Sequence, residues 1–216
     1  FFRAAPDKAT APTPAGSVER GAEIVNGLGR CSACHSPKNF LGAEKTRRAF
    51  QGGVIDNWVA ADLTGNPHTG LAAWTAPDIE EFLATGRNAR AGAGGSMGDV
   101  ITYSTSLMSD ADRRAVAAYL KTLPPRPDDH PPAPDAKAMK AGAQIFTDAC
   151  ASCHLQGAVG QPRVFPPLPG EAALQQADAT GLIHLILGGG RVGPSQVRPS
   201  PLTMPSFAWK LSDQEV

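Results

Sequence analysis

One pentapeptide occurs twice in the chain, as Cys31-Ser32-Ala33-Cys34-His35 and as Cys150-Ala151-Ser152-Cys153-His154. Two thiols three residues apart share one face of a helical turn. The imidazole that follows them falls where it can ligate an iron. Cys-x-x-Cys-His is the attachment signature of a c-type haem, so Cys31, Cys34, Cys150 and Cys153 are read as haem thioethers, with His35 and His154 as axial iron ligands. Without the histidine, a Cys-x-x-Cys pair could equally serve zinc, a disulfide or a redox dithiol. Four thiolates on a single structural zinc remain the alternative for the thiols, but the two pairs lie far beyond zinc-ribbon spacing and each sits in its own local repeat. Two haems c consume all four cysteines and leave none for disulfides.

A length of 216 residues suits two domains of about 100 residues each. Lys+Arg and Asp+Glu balance at 20 each, which gives no charge reason to expect a nucleic-acid partner. With 20 prolines, 23 glycines and 6% aromatics, the composition points to helices separated by long irregular loops and to a modest core. Bound haem would supply apolar volume that the side chains lack. No stretch reaches the 18 or so apolar residues of a membrane span. Phe1-Phe2-Arg3 lacks the features of a signal peptide. Haem c attachment implies export, so the sequence reads as a mature or fragmentary product, expected on the periplasmic side of a bacterial membrane.

Residues 1–16, rich in Ala, Pro and Thr, read as a linker or arm. A first domain is expected over 17–125. Ser17 should cap a helix over Val18–Gly27. Residues 36–75 read as loops and turns around Gly52-Gly53 and Gly65-Asn66-Pro67. Thr75 should cap a helix that carries Ile79, Phe82 and Leu83 on one face and ends at Gly86. A Gly/Ala-rich loop over Arg87–Gly98 follows, then a helix capped by Ser109 with Val116, Ala117, Leu120 and Leu123 inward. The proline-rich run over 126–134 is a semi-rigid linker, with His130 in it read as solvated. A second domain, 135–216, repeats the pattern: Gly142-Ala143-Gln144-Ile145 echoes Gly21-Ala22-Glu23-Ile24 ahead of the motif. A helix is expected from Asp178 or Thr180 to Gly188-Gly189-Gly190. Ser212-x-x-Glu215 is a capping box whose helix is missing from the sequence. The fold class expected is all-α.

A haem iron that only carries electrons needs a sixth ligand, commonly a methionine thioether, which raises its potential. Met204, eight residues before Ser212, and Met97, twelve before Ser109, occupy corresponding loops and are the expected axial partners. Met108 competes with Met97, but the internal repeat places Leu211 opposite it, which marks a packing position. Met139 reads as core filler, and His68 and His184 are the remaining alternatives. Each proximal histidine should donate its other ring N–H to a backbone carbonyl, in the second domain from the Phe165-Pro166-Pro167-Leu168 turn.

The first half, from Arg20-Gly21-Ala22 through Cys31–His35 to Ser36-Pro37-Lys38-Asn39-Phe40-Leu41-Gly42, resembles the middle haem domain of three-haem cytochrome c subunits of bacterial membrane-associated alcohol, gluconate, sorbitol and aldehyde dehydrogenases. Trp58, Asp62-Leu63-Thr64, Trp74-Thr75, the Met97 loop and Tyr119–Pro125 fit that pattern. The second half, with Phe165–Leu168 and Met204-Pro205-Ser206-Phe207, resembles the third haem domain. The resemblance implies an electron-transfer subunit with no catalysis of its own, built of two tandem class I cytochrome c domains with two haems c and a third in a missing N-terminal domain. It would relay electrons from a flavo-, quino- or molybdoprotein dehydrogenase to ubiquinone or a terminal acceptor, at a membrane surface, through a partner or a missing segment. A free-standing soluble two-haem carrier and a two-haem peroxidase are the alternatives.

Overall fold

The computed structural model describes residues 13–126 and 134–216. Most of the N-terminal arm and of the proline-rich linker, His130 included, lies outside the described residues.

Ser17 accepts from the Arg20 N–H and starts α1 (Val18–Glu23), which runs on into a π-helical turn over Ile24–Leu28. The first motif follows as α2 (Ser32–His35). Thr75 and Asp78 form a reciprocal capping box on α3 (Ala76–Thr85), and Gly86 closes it in the left-handed conformation at φ 74°. After α4 (Gly95–Tyr103), Ser109 accepts from the Asp112 N–H at the start of α5 (Asp110–Leu120). The second half opens with Asp135 capping α6 (Ala136–Ala149), then α7 (Ala151–His154), which carries the second motif, and α8 (Thr180–Gly188), where Asp178 accepts from the Thr180 N–H at 2.9 Å.

Two expectations are corrected. The chain is not wholly α: β1 (Gln51–Ile55) and β2 (Trp58–Asp62) form an antiparallel hairpin with Gly53 opposite Ala60 and Ile55 opposite Trp58, and β3 (Gly190–Arg191) pairs β4 (Thr203–Met204). Asp56 and Asn57 turn the first hairpin with φ of 51° and 62°, the doubly left-handed geometry of a two-residue turn that short Asx side chains tolerate. Second, part of the Gly/Ala-rich stretch is helical, so Met97 stands in the first turn of α4 instead of in a loop.

The first half has a continuous apolar core of Ile24, Val25, Phe50, Leu71, Ile79, Leu83, Val116, Ala117 and Leu120. It closes where α1 crosses α5: a Cβ on Gly21 would lie 2.0 Å from the Ala115 carbonyl oxygen. The second half differs. Among its described apolar residues only Ala172 is buried, and α6 buries none of its side chains. Met139, expected as core filler, is 57% exposed.

The halves pack along one seam. α8 lies on β2, where a Cβ on Gly181 would come within 2.8 Å of the Val59 nitrogen. The His184 ring meets Trp58 edge-on at 4.6 Å. Thr102 donates to the Pro194 carbonyl at 2.9 Å, Gln176 donates to the Thr69 carbonyl, and Arg163 and Arg198 both pair with Glu81.

Candidate haem-binding sites

The first motif is wound into a turn by the bonds from Cys34 N–H and His35 N–H to the Cys31 carbonyl. The β1–β2 hairpin lies directly on this turn. A Cβ on Gly53 would fall 2.5 Å from the Cys34 carbonyl oxygen and 2.7 Å from that of Ser36, so only glycine permits the approach. The Ser36 hydroxyl accepts from the Phe50 N–H at 2.9 Å and ties the hairpin's base to the motif. On the second strand the Ala61 carbonyl stands 2.7 Å from His35 Nδ1. A carbonyl can only accept, so Nδ1 carries the proton and Nε2 presents its lone pair, the tautomer an iron ligand needs. Burial pushes the imidazole below its ordinary range, against the Ala61 carbonyl and the Asp62 carboxylate, and favours the neutral form.

Ala61 is held in turn by its neighbour. Asp62 is fully buried, accepts from the Thr64 N–H at 2.7 Å, and faces Arg126 across an Nε–Oδ2 separation of 3.0 Å. Cys31 and Met97 both pack against the first-half core. Met108 packs there too, so packing alone does not rank the two methionines. His68 is exposed, and its backbone N–H is held by the Asn66 side chain.

In the second half, Cys150 both ends α6 and starts α7, and the His154 N–H donates to its carbonyl at 3.0 Å. The expected carbonyl partner for the imidazole is not found among the described residues, where His154 Nδ1 is buried and unpaired. The Phe165 carbonyl accepts from the Gln161 N–H at 2.7 Å, and the Phe165-Pro166 turn packs against Gly160, where a Cβ would lie 2.3 Å from that oxygen. The turn supplies a ring instead, with the Phe165 and His154 centroids 6.2 Å apart. Met204 sits on β4 opposite Gly190. Its strand is stitched to the end of α8 by the Phe207 N–H to the Ile186 carbonyl at 3.0 Å and by the Ser206 hydroxyl to the Leu187 carbonyl. His184 packs on Trp58 and, with Ile183, Leu187 and Asn57, lines an open groove of about 570 Å³.

All four cysteines are unpaired thiols, and burial raises the Cys31 and Cys150 thiols above their ordinary range, with Lys210 opposing the effect at Cys150. Among the described residues no three His, Cys, Asp or Glu side chains gather into a metal cluster, so the four thiols do not form one zinc site. The donor set on each turn, two free thiols and an imidazole, fits thioether attachment and axial ligation of one haem apiece. A thioether lies further along each half.

The helix bearing Met97 meets, at the seam, the strand that pairs with Met204's. Gly98, next to Met97, lies against Gly193, whose Cβ would come within 2.3 Å of the Gly98 carbonyl oxygen, and α4 touches β3, the partner of Met204's strand.

Residues 18–124 match the family model for cytochrome c, and residues 137–216 match that for cytochrome c oxidase, cbb3-type, subunit III. The cytochrome c subunit of the quinone alcohol dehydrogenase of Gluconobacter oxydans (strain 621H) is 38% identical over 216 residues, covering 92% of this chain and 45% of that protein. The gluconate 2-dehydrogenase cytochrome c subunit of Pantoea cypripedii is 35% identical, covering 92% and 49%. The fructose dehydrogenase cytochrome subunit of Gluconobacter japonicus is 29% identical, covering 79% and 40%. The chain spans about half the length of these curated relatives or somewhat less.

Proposed function

Because the chain is built of two cytochrome c domains, we propose that it is the electron-relay portion of a periplasmic dehydrogenase complex. It would pass electrons from a partner flavo-, quino- or molybdoprotein to ubiquinone or a terminal acceptor, and would do no substrate chemistry itself. When bound, haem c supplies a one-electron Fe(III)/Fe(II) couple. Cys31 and Cys34 hold one group and Cys150 and Cys153 the other. His35 and His154 would each supply an imidazole to one iron, and Met97 and Met204 would supply the thioethers. Ala61 fixes the His35 tautomer, and the burial of His35 keeps the ring neutral.

The observation that carries this reading is the contact of the Met97 helix with the strand paired to Met204's, through Gly98 against Gly193 and α4 against β3. A relay needs its two redox centres close and their irons closed to substrates. The dehydrogenase partner rests on the likeness to cytochrome subunits of alcohol, gluconate and fructose dehydrogenases. The membrane setting rests on the family resemblance of the sequence motifs, and no helix among the described residues is long and apolar enough to cross a bilayer.

Ferric optical and EPR spectra of the holoprotein test the relay. Two low-spin irons are expected; a high-spin, five-coordinate haem that consumes peroxide rapidly would make the chain a peroxidase. Met97→Ala should lower the potential of one haem and open its iron to cyanide or CO while leaving the other unchanged. If Met108→Ala has that effect and Met97→Ala does not, the sixth ligand is misassigned. Isolation of the native protein as a solitary monomer would count against a dehydrogenase partner.

A further inference from the structure

Between the first motif and β1 the chain makes a rigid projection that nothing in the proposed haem sites uses. It leaves at Ser36 and returns at Phe50, where the Phe50 N–H donates to the Ser36 hydroxyl. Lys38 and Glu44 pair as an isolated antiparallel bridge, and the Lys45 N–H donates to the Pro37 carbonyl at 2.9 Å. At the tip the Asn39 side-chain oxygen accepts from the Leu41 and Ala43 N–H groups at 2.9 and 3.0 Å. Gly42 takes φ 78° to complete the turn. The side chains carried outward by this frame are Phe40, 94% exposed, and Leu41, 77% exposed. Water normally drives an adjacent phenyl and isobutyl pair inward, and here a hydrogen-bonded turn holds them out.

Around the tip stand Lys38, Lys45, Arg47 and Arg48, all exposed. Residues 37–48 contain one carboxylate, Glu44, which is half-buried. None of the four cations forms an ion pair with a carboxylate among the described residues, and Arg48 bonds only to the Gln51 amide oxygen at 3.3 Å.

We propose that the 37–48 projection is a lipid-docking loop that places Phe40 and Leu41 in the interfacial layer of an anionic bilayer with its four cations over the headgroups. Two features choose lipid over a protein partner. A stable protein interface needs about 800 Å² and some 20–30 residues per side, which a two-residue tip does not offer. An aromatic and an aliphatic side chain ringed by Lys and Arg is instead the pattern of interfacial membrane anchors, whose cations are drawn by the negative surface potential. The loop gives the proposed membrane setting a physical contact and rests on that reading only for its physiological location. The contact is a weak, reversible one that orients the chain, since a single short anchor does not hold a protein permanently.

Co-sedimentation of the intact holoprotein with vesicles tests the proposal, using phosphatidylglycerol mixed into phosphatidylcholine against phosphatidylcholine alone. Binding should require the anionic lipid and weaken with added salt. The triple variant Lys45→Gln/Arg47→Gln/Arg48→Gln should bind about a hundredfold more weakly, each lost cation costing about fivefold. Phe40→Ser/Leu41→Ser should lose at least about tenfold. The haem optical spectrum of each variant should match the parent, which separates loss of docking from loss of fold or of the relay. Vesicle binding unchanged in the loop variants overturns the proposal. So does a loop that fails to bind anionic vesicles but pulls down an acidic protein.

Discussion

Glu171 carries a carboxyl that burial pushes up to about 7 from an ordinary 4.5, against the Ala173 N–H and the more distant Arg90 guanidinium. Below the ordinary value the group is protonated in folded and unfolded chains alike. Between that value and about 7 the folded chain retains a proton that the unfolded chain has released, so stability falls as pH rises across this window. Above it the loss is complete, at most about 3 kcal/mol. Glu171→Gln should therefore flatten the pH dependence. Denaturant midpoints of the holoprotein near pH 5 and about pH 8 should differ more for the parent than for the variant; equal slopes would mean that water reaches the carboxylate. Nothing in the sequence around Glu171 marks it, because the shift comes from burial. The motif cysteines and histidines were legible because their chemistry is written in local spacing. Their partners were legible only as a type: a backbone carbonyl for the ring N–H was expected, but that Ala61 supplies it to His35 depends on a hairpin 26 residues further on.

At the scale of elements, capping chemistry identified α1, α3 and α5 correctly, since Ser17, Thr75 and Ser109 each accept the N–H their sequence position implies. The β1–β2 hairpin was missed. Its signal, Asp56-Asn57 between Val54-Ile55 and Trp58-Val59, was present, but the glycines before it read as loop. Those glycines serve close approach: Gly53→Val should drive the hairpin off the motif and leave the first haem's histidine without its carbonyl, read as a changed potential and spectrum of one haem only. The repeat of Gly21 by Gly142 shows where sequence symmetry ends. Gly21 is where α1 crosses α5, whereas a Cβ on Gly142 meets nothing within 4 Å. Gly21→Ala should therefore destabilise this chain by about 1–3 kcal/mol or more through overpacking. Gly142→Ala should be neutral or stabilise it by about 0.5–1 kcal/mol through helix propensity alone. Thermal unfolding of the two variants side by side checks this, and equal losses would mean that α6 has a partner of its own.

For the molecule as a whole the question is what holds the two halves at a fixed separation, since the proposed relay depends on it. Two kinds of contact compete for the role. Glu81 on α3 takes a two-toothed pair from Arg163, at 2.6 and 3.0 Å, and a third bond from Arg198 at 2.8 Å. The Arg163 side chain is half exposed, and exposed ion pairs contribute about 0–1 kcal/mol each once side-chain ordering and salt screening are counted. Against this stand the packed contacts: Gly181 on Val59 and Gly193 on Gly98 at the backbone, and the Trp58 ring edge-on to His184. These are close-packed, and added volume there is resisted by backbone that cannot rotate away. The packing contacts should win. Glu81→Gln in the holoprotein should leave the radius of gyration and the rate of electron equilibration between the haems close to those of the parent, with only a slightly greater response to salt. Gly181→Val should wedge α8 off β2, raise the radius of gyration in small-angle scattering and slow equilibration between the haems. If Glu81→Gln opens the molecule and Gly181→Val does not, the seam is an electrostatic latch. The distance between the two centres would then respond to ionic strength.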